Sequence, residues 1–106
     1  MQKGKKIYET NCVTCHSSNG EGVPSIFPPL AKSDYLMSNP TRAIKQLHFG
    51  LSGKIVVNGK GYNGTMPASG LTPQQITDVM NYITNSWGNK NKEVIKLKDV
   101  KKILGK

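Results

Sequence analysis

This chain is short of most things that would let a protein build a large core or a membrane span. Only 7% of its 106 residues are aromatic, one of them tryptophan, and the apolar fraction is 36%. Its mean hydropathy is −0.45. Such a chain supports one domain at the small end of the range. Residues 1–106 therefore read as a single domain, with 89–106 as a basic C-terminal extension docked on it. No apolar run approaches the roughly 20 residues that a membrane-spanning helix needs. Acids are scarce too: 6 Asp+Glu stand against 15 Lys+Arg, a formal charge of +9, and Arg42 is the only arginine. That balance suits a nucleic acid, an anionic membrane, an acidic protein partner or simply a solvated lysine surface. Stacking aromatics interleaved with basic residues are missing, which argues against nucleic acid. Cysteine is limited to two residues, both in one motif, so no structural disulfide is available.

Those cysteines stand in Cys12-Val13-Thr14-Cys15-His16, the pattern for covalent attachment of c-type haem. On a helix, positions i, i+3 and i+4 share one face. The thiols of Cys12 and Cys15 can then add to two vinyl groups of one flat macrocycle while the His16 imidazole reaches its iron. A structural zinc site would need four N or S ligands, and His48 is the only further one. A thioredoxin-like CxxC would want a βαβ context, which the chain does not offer. A buried haem also supplies the apolar mass that the composition lacks. Attachment of this kind takes place outside the cytosol, so a periplasmic or otherwise extracytoplasmic location is expected, with an export signal already removed.

In chain order, residues 2–16 read as a first helix, with Gly4, Ile7, Tyr8 and Asn11 on one face. Glycine weakens a helix interior, so Gly4 suggests close approach by another segment, a frayed N-terminus being the alternative. After a glycine-rich loop, Pro28-Pro29 hold the chain extended, and the carbonyl of Pro29 is expected to accept the second ring N–H of His16. A short helix over 31–37 would turn Tyr35 and Leu36 inward. Asn39-Pro40 opens a helix to about Phe49, stopped by Gly50, with Ile44, Leu47 and His48 facing inward. Ile55-Val56-Val57 before Asn58-Gly59 predicts a small hairpin ending at Tyr62, followed by a loop over 64–68 without period. Thr72-Pro73-Gln74-Gln75 combines an N-cap, a proline at the first helical position and a capping-box glutamine. The helix it opens carries Ile76, Val79, Met80, Ile83 and Trp87 on its apolar face and ends at Gly88. The lysine-rich remainder reads as an extended stretch and a short amphipathic helix.

The sixth iron ligand separates an electron carrier from an enzyme, because an open iron binds oxygen species or substrate. Met37, Met66, Met80 and His48 are the candidates. Met80 lies on a core stripe, where methionine is ordinary filler. Met37 ends a short helix, and His48 sits on an inner face where a hydrogen-bonded core role is common. Met66 lies in a loop stiffened by Pro67, which favours it. Arg42, Tyr62 and Trp87 are candidate donors to the haem propionates, since buried carboxylates need partners.

Taken together, these residues resemble the class I c-type cytochromes. The likeness rests on Cys12, Cys15 and His16, on Gly4 and Tyr8, on Pro29, and on Met66-Pro67. Within that family, Val57-Asn58-Gly59, Tyr62-Asn63-Gly64 and Asn85-Ser86-Trp87-Gly88-Asn89 look like the cytochrome c domain fused to the C-terminus of some copper nitrite reductases. The resemblance implies an all-α fold, the small cytochrome c fold, with three to five helices around one covalent haem and a short β-hairpin. It implies crossing of the first and last helices near Gly4 and Tyr8, with His16 and Met66 as axial ligands. The expected function is one-electron transfer, not catalysis, to a respiratory or denitrification-type redox partner with an acidic docking surface. A copper nitrite reductase is the partner that the likeness suggests. Lysines around the haem edge near the attachment loop would steer docking. The competing reading is a haem enzyme or gas sensor whose sixth position is open or displaceable.

Overall fold

The computed structural model describes residues 2–12, 16–17, 19–23, 27–91 and 94–105. Five helices and one two-stranded ribbon are formed among them: α1 (Gln2–Asn11), α2 (Asp34–Ser38), α3 (Pro40–Phe49), β1 (Leu51–Val57), β2 (Lys60–Met66), α4 (Pro73–Ile83) and α5 (Leu97–Leu104).

Local chemistry starts most of these elements. Ser33 caps α2 by accepting from the Leu36 amide, and Asn39 caps α3 by accepting from the Arg42 amide. At α4 both halves of the capping box form: the Thr72 hydroxyl accepts from Gln75 N, and the Gln75 side chain accepts from Thr72 N. Each such cap satisfies amides that the first helical turn would otherwise leave without partners.

α1 packs across α4, while α5 packs on both α3 and α4. Gly4 is the contact point of the first pair. A Cβ added there would lie 2.1 Å from the Asp78 carbonyl oxygen and 2.8 Å from the Tyr82 Cβ. The core gathers Tyr8, Leu36, Ile44, Ile76, Val79, Met80 and Ile83, and α5 contributes Val100 and Leu104.

Four elements differ from their sequence reading. α2 begins at Asp34, not at residue 31, because Ser33 is its cap. α1 is a regular helix only to Asn11, although Cys12 N still bonds Tyr8 O and His16 N still bonds Cys12 O, the helical i to i−4 pattern. The hairpin is longer than expected, pairing Leu51 with Met66 through to Val57 with Lys60 around the Asn58-Gly59 turn. Met66 is therefore the last residue of a strand, not part of an aperiodic loop. Finally, α4 stops at Ile83, and Trp87 sits beyond it in a turn with φ 55°. The Thr84 hydroxyl donates to the Met80 carbonyl as the helix ends.

Candidate functional site

The extended proline segment and the turn after α1 meet at His16. Gly22, at φ +70°, has room for no side chain, because a Cβ would lie 2.4 Å from the Phe27 carbonyl oxygen. Its own amide bonds the His16 carbonyl, and Val23 bridges Phe27. This close packing brings a carbonyl to the imidazole: His16 Nδ1 lies 3.0 Å from the oxygen of Pro28. The expected acceptor was Pro29. Successive carbonyls of an extended chain point to opposite sides, and a residue before proline is held extended, so only one of the two faces the ring, and it is Pro28.

A carbonyl only accepts, so Nδ1 carries the hydrogen and Nε2 keeps its lone pair. Burial holds the imidazole below its usual pKa, partly opposed by the Pro28 bond. The ring is thus neutral at pH 7 and prepared to bind a metal through Nε2.

His16 and Cys12 open on a cavity of about 360 Å³, within the roughly 300–1,000 Å³ range of small-molecule sites. The walls are mainly apolar. Pro28, Pro29 and Leu30 come from the extended segment, Leu51, Ile55 and Val57 from β1, and Leu47, Val79 and Ile83 from the helices. Among the described residues, the lining includes no Asp, Glu, Lys or Arg.

Met66 lines this cavity, followed by Pro67 and Ala68. The ribbon explains why. Cross-strand partners share a face, so Met66 stands on the same face as its partner Leu51 and as Ile55 and Val57. Tyr62, paired with Ile55, is buried on that face but does not reach the lining. The other candidate ligands are elsewhere. Met80 is wholly buried in the helical core, Met37 packs against that core, and the His48 ring stands edge-on to Phe49. None of these three lines the cavity.

Trp87 and Arg42 do not line it either. The Trp87 ring packs on Tyr8 and Tyr82, with centroids 5.0 and 5.5 Å apart, and covers Gly20. Arg42 is engaged with Tyr35: its guanidinium carbon sits 3.6 Å from the ring centroid, and Nη2 donates to the Tyr35 carbonyl. Cys15 lies outside the described residues.

Several polar lining residues went unnoticed in the sequence as site residues, Tyr35 and Gln46 among them. The Tyr35 hydroxyl accepts from Gln46 Nε2, leaving its own hydrogen free to point at the cavity. The Ser69 hydroxyl, by contrast, donates its hydrogen to the Leu47 carbonyl, while the Ser33 hydroxyl accepts from Leu36 N. The only advance signal was the inward placement of Tyr35 on a short helix.

An apolar cavity with a preset imidazole, a neighbouring thiol and a free hydroxyl donor fits a haem with its carboxylates. Comparison with known proteins agrees. The cytochrome c family profile matches residues 1–87. The chain belongs to the cytochrome c family. Its cofactor is accordingly a covalently attached c-type haem, with Cys12 in the attachment motif.

Among relatives in this family, cytochrome c-552 of Thermus thermophilus is 40% identical over 94 residues, covering 84% of this chain and 71% of the relative. The cytochrome c subunit of alcohol dehydrogenase (quinone) from Gluconacetobacter polyoxogenes is 35% identical over 115 residues. The cytochrome c subunit of gluconate 2-dehydrogenase from Pantoea cypripedii is 34% identical over 103 residues. The chain spans only 22% and 23% of those two subunits. No described helix is long and apolar enough to cross a membrane.

Proposed function

We propose that this domain is a one-electron carrier whose haem is held by Cys12 and Cys15 and ligated by His16 and Met66. The observation that carries the reading is that His16 and Met66 line one apolar cavity which the rival ligands Met37, Met80 and His48 do not line. When bound, the haem supplies an iron that changes by one electron, and His/Met ligation raises its potential.

The protein's contribution is to hold its groups still. The Pro28 carbonyl fixes the His16 ring, and ribbon pairing with Leu51 fixes the Met66 backbone, so both ligands keep their places as the charge changes. Tyr35 would donate its hydroxyl hydrogen to a haem carboxylate, with Gln46 and Arg42 orienting it. Arg42 and Trp87, donors expected from sequence, do not line the cavity. Pro29 forms cavity wall.

The lack of any charged acid or base in the described lining favours transfer over bond-making chemistry. Residues 1–106 act as one unit in an extracytoplasmic compartment, 89–106 included. The partner is a redox protein with an acidic face, drawn from the dehydrogenases named among the relatives or from the copper nitrite reductases that the sequence resembles. Carbon monoxide tests the reading. The reduced protein is expected to bind it slowly and incompletely at neutral pH, while rapid, full binding would mean an open sixth position and an enzyme or sensor.

A further inference from the structure

We propose that the outer face of α3 is the docking groove for a carboxylate-bearing redox partner, an inference that rests on the carrier reading above. Sequence alone pointed to lysines near the attachment loop. Yet no lysine or arginine occurs between Lys6 and Lys32, and that interval contains Glu9 and Glu21. An acidic partner gains nothing from the charges of that stretch.

The α3 face offers the opposite. A shallow groove of about 370 Å³ runs along it, lined by Arg42, Lys45, Gln46 and Phe49, with no acidic residue in its lining among the described residues. Arg42 is immobilised on the Tyr35 ring, so one of the two positive charges is pre-positioned. Phe49 leaves 66% of its surface in water, an aromatic contact that a partner would cover.

The groove also adjoins the haem cavity. Gln46 lines both. At the end of α3, the Gly50 backbone packs against Met66, Pro67 and Ala68, and Ser69 N bonds Leu47 O. Pro67 and Ala68 are exposed while also lining the cavity. A carboxylate face seated on Arg42 and Lys45, with an apolar contact on Phe49, would stand one side chain from the site. Electrostatic attraction of this kind sets encounter rates and weakens with salt.

The test is stopped-flow oxidation of the reduced holoprotein by hexacyanoferrate(III), which takes one electron and becomes hexacyanoferrate(II). Lys45→Glu should slow it about tenfold at roughly 10 mM salt and less than about twofold at roughly 0.5 M. The same variant should speed oxidation by the cationic tris(phenanthroline)cobalt(III). Lys5→Glu, an equal charge change on α1, should have less than about a twofold effect. Far-UV circular dichroism and the reduction potential should be unchanged in both variants. With an acidic blue-copper protein as acceptor, Phe49→Ser should slow transfer severalfold while leaving the hexacyanoferrate rate alone. Equal effects of Lys5→Glu and Lys45→Glu, or no effect of Lys45→Glu, would overturn the docking site while leaving the carrier reading intact. A wild-type protein that neither reagent oxidises would remove the carrier reading, and this proposal with it.

Discussion

Gly4→Ala sets two effects of opposite sign against each other. In a helix interior, alanine is favoured over glycine by about 1 kcal/mol. Against that, the added Cβ would lie 2.1 Å from the Asp78 carbonyl oxygen and 2.8 Å from the Tyr82 Cβ. Neither neighbour is the free end of a flexible side chain, so α1 and α4 must separate by more than an ångström to restore ordinary contact. Overpacking of this sort costs about 1–3 kcal/mol, and a backbone contact belongs at the upper end. The expected net loss is about 2 kcal/mol, or about 8 °C in Tm for a chain of this size. Urea unfolding of the holoprotein, followed by far-UV circular dichroism, measures it. Gly64→Ala is the matched control, since no atom of the described residues lies within 4 Å of a Cβ there, and it should be neutral or stabilising by about 0.5 kcal/mol. If Gly4→Ala is as stable as wild type or more so, the first turn of α1 is frayed and the close crossing is wrong.

Asn89→Ala should destabilise by about 3 kcal/mol in the same assay. This buried side chain accepts from Lys32 N and donates to the carbonyls of Leu30 and Ile83, tying the proline segment to the end of α4. Thr72→Ala removes half of a capping box and should cost about 1 kcal/mol. Tyr8→Phe loses the hydrogen bond to the Ser17 carbonyl, about 1 kcal/mol at pH 7. Burial, with smaller contributions from Cys12, Tyr82 and Glu21, raises the Tyr8 pKa well above its usual 10.0. The neutral phenol therefore contributes fully below pH 10, and wild type loses that contribution as the pH rises further, because only the unfolded chain ionises there. The stability gap between wild type and Tyr8→Phe should shrink above pH 10, and a gap that widens would contradict the burial of this hydroxyl.

What was legible in the sequence was mostly local chemistry. Asn39-Pro40 and Thr72-Pro73 with Gln75 form the caps that they spell, because a cap needs only a few neighbouring residues. Asn58-Gly59 makes its turn for the same reason. β2 was only partly visible because Gly61 and Gly64 leave gaps in the alternation of Lys60–Met66, so Met66 looked like loop. Trp87 continues the apolar spacing of α4, yet the chain leaves the helix at Thr84 and reaches Tyr8 and Tyr82 by a turn. Spacing cannot separate those two routes to one contact. The choice between Pro28 and Pro29 depends on how Gly22 seats the extended segment, and the role of Tyr35 on its meeting with Gln46. Both are tertiary facts with no local signature.

Met66 as the closing ligand is the central claim, and one spectrum addresses it most directly. Visible and near-infrared absorption of the oxidised holoprotein should show the methionine–ferric band in wild type and in Met37→Leu, and lose it in Met66→Ala. A band that survives in Met66→Ala, or is missing from wild type, would contradict the account.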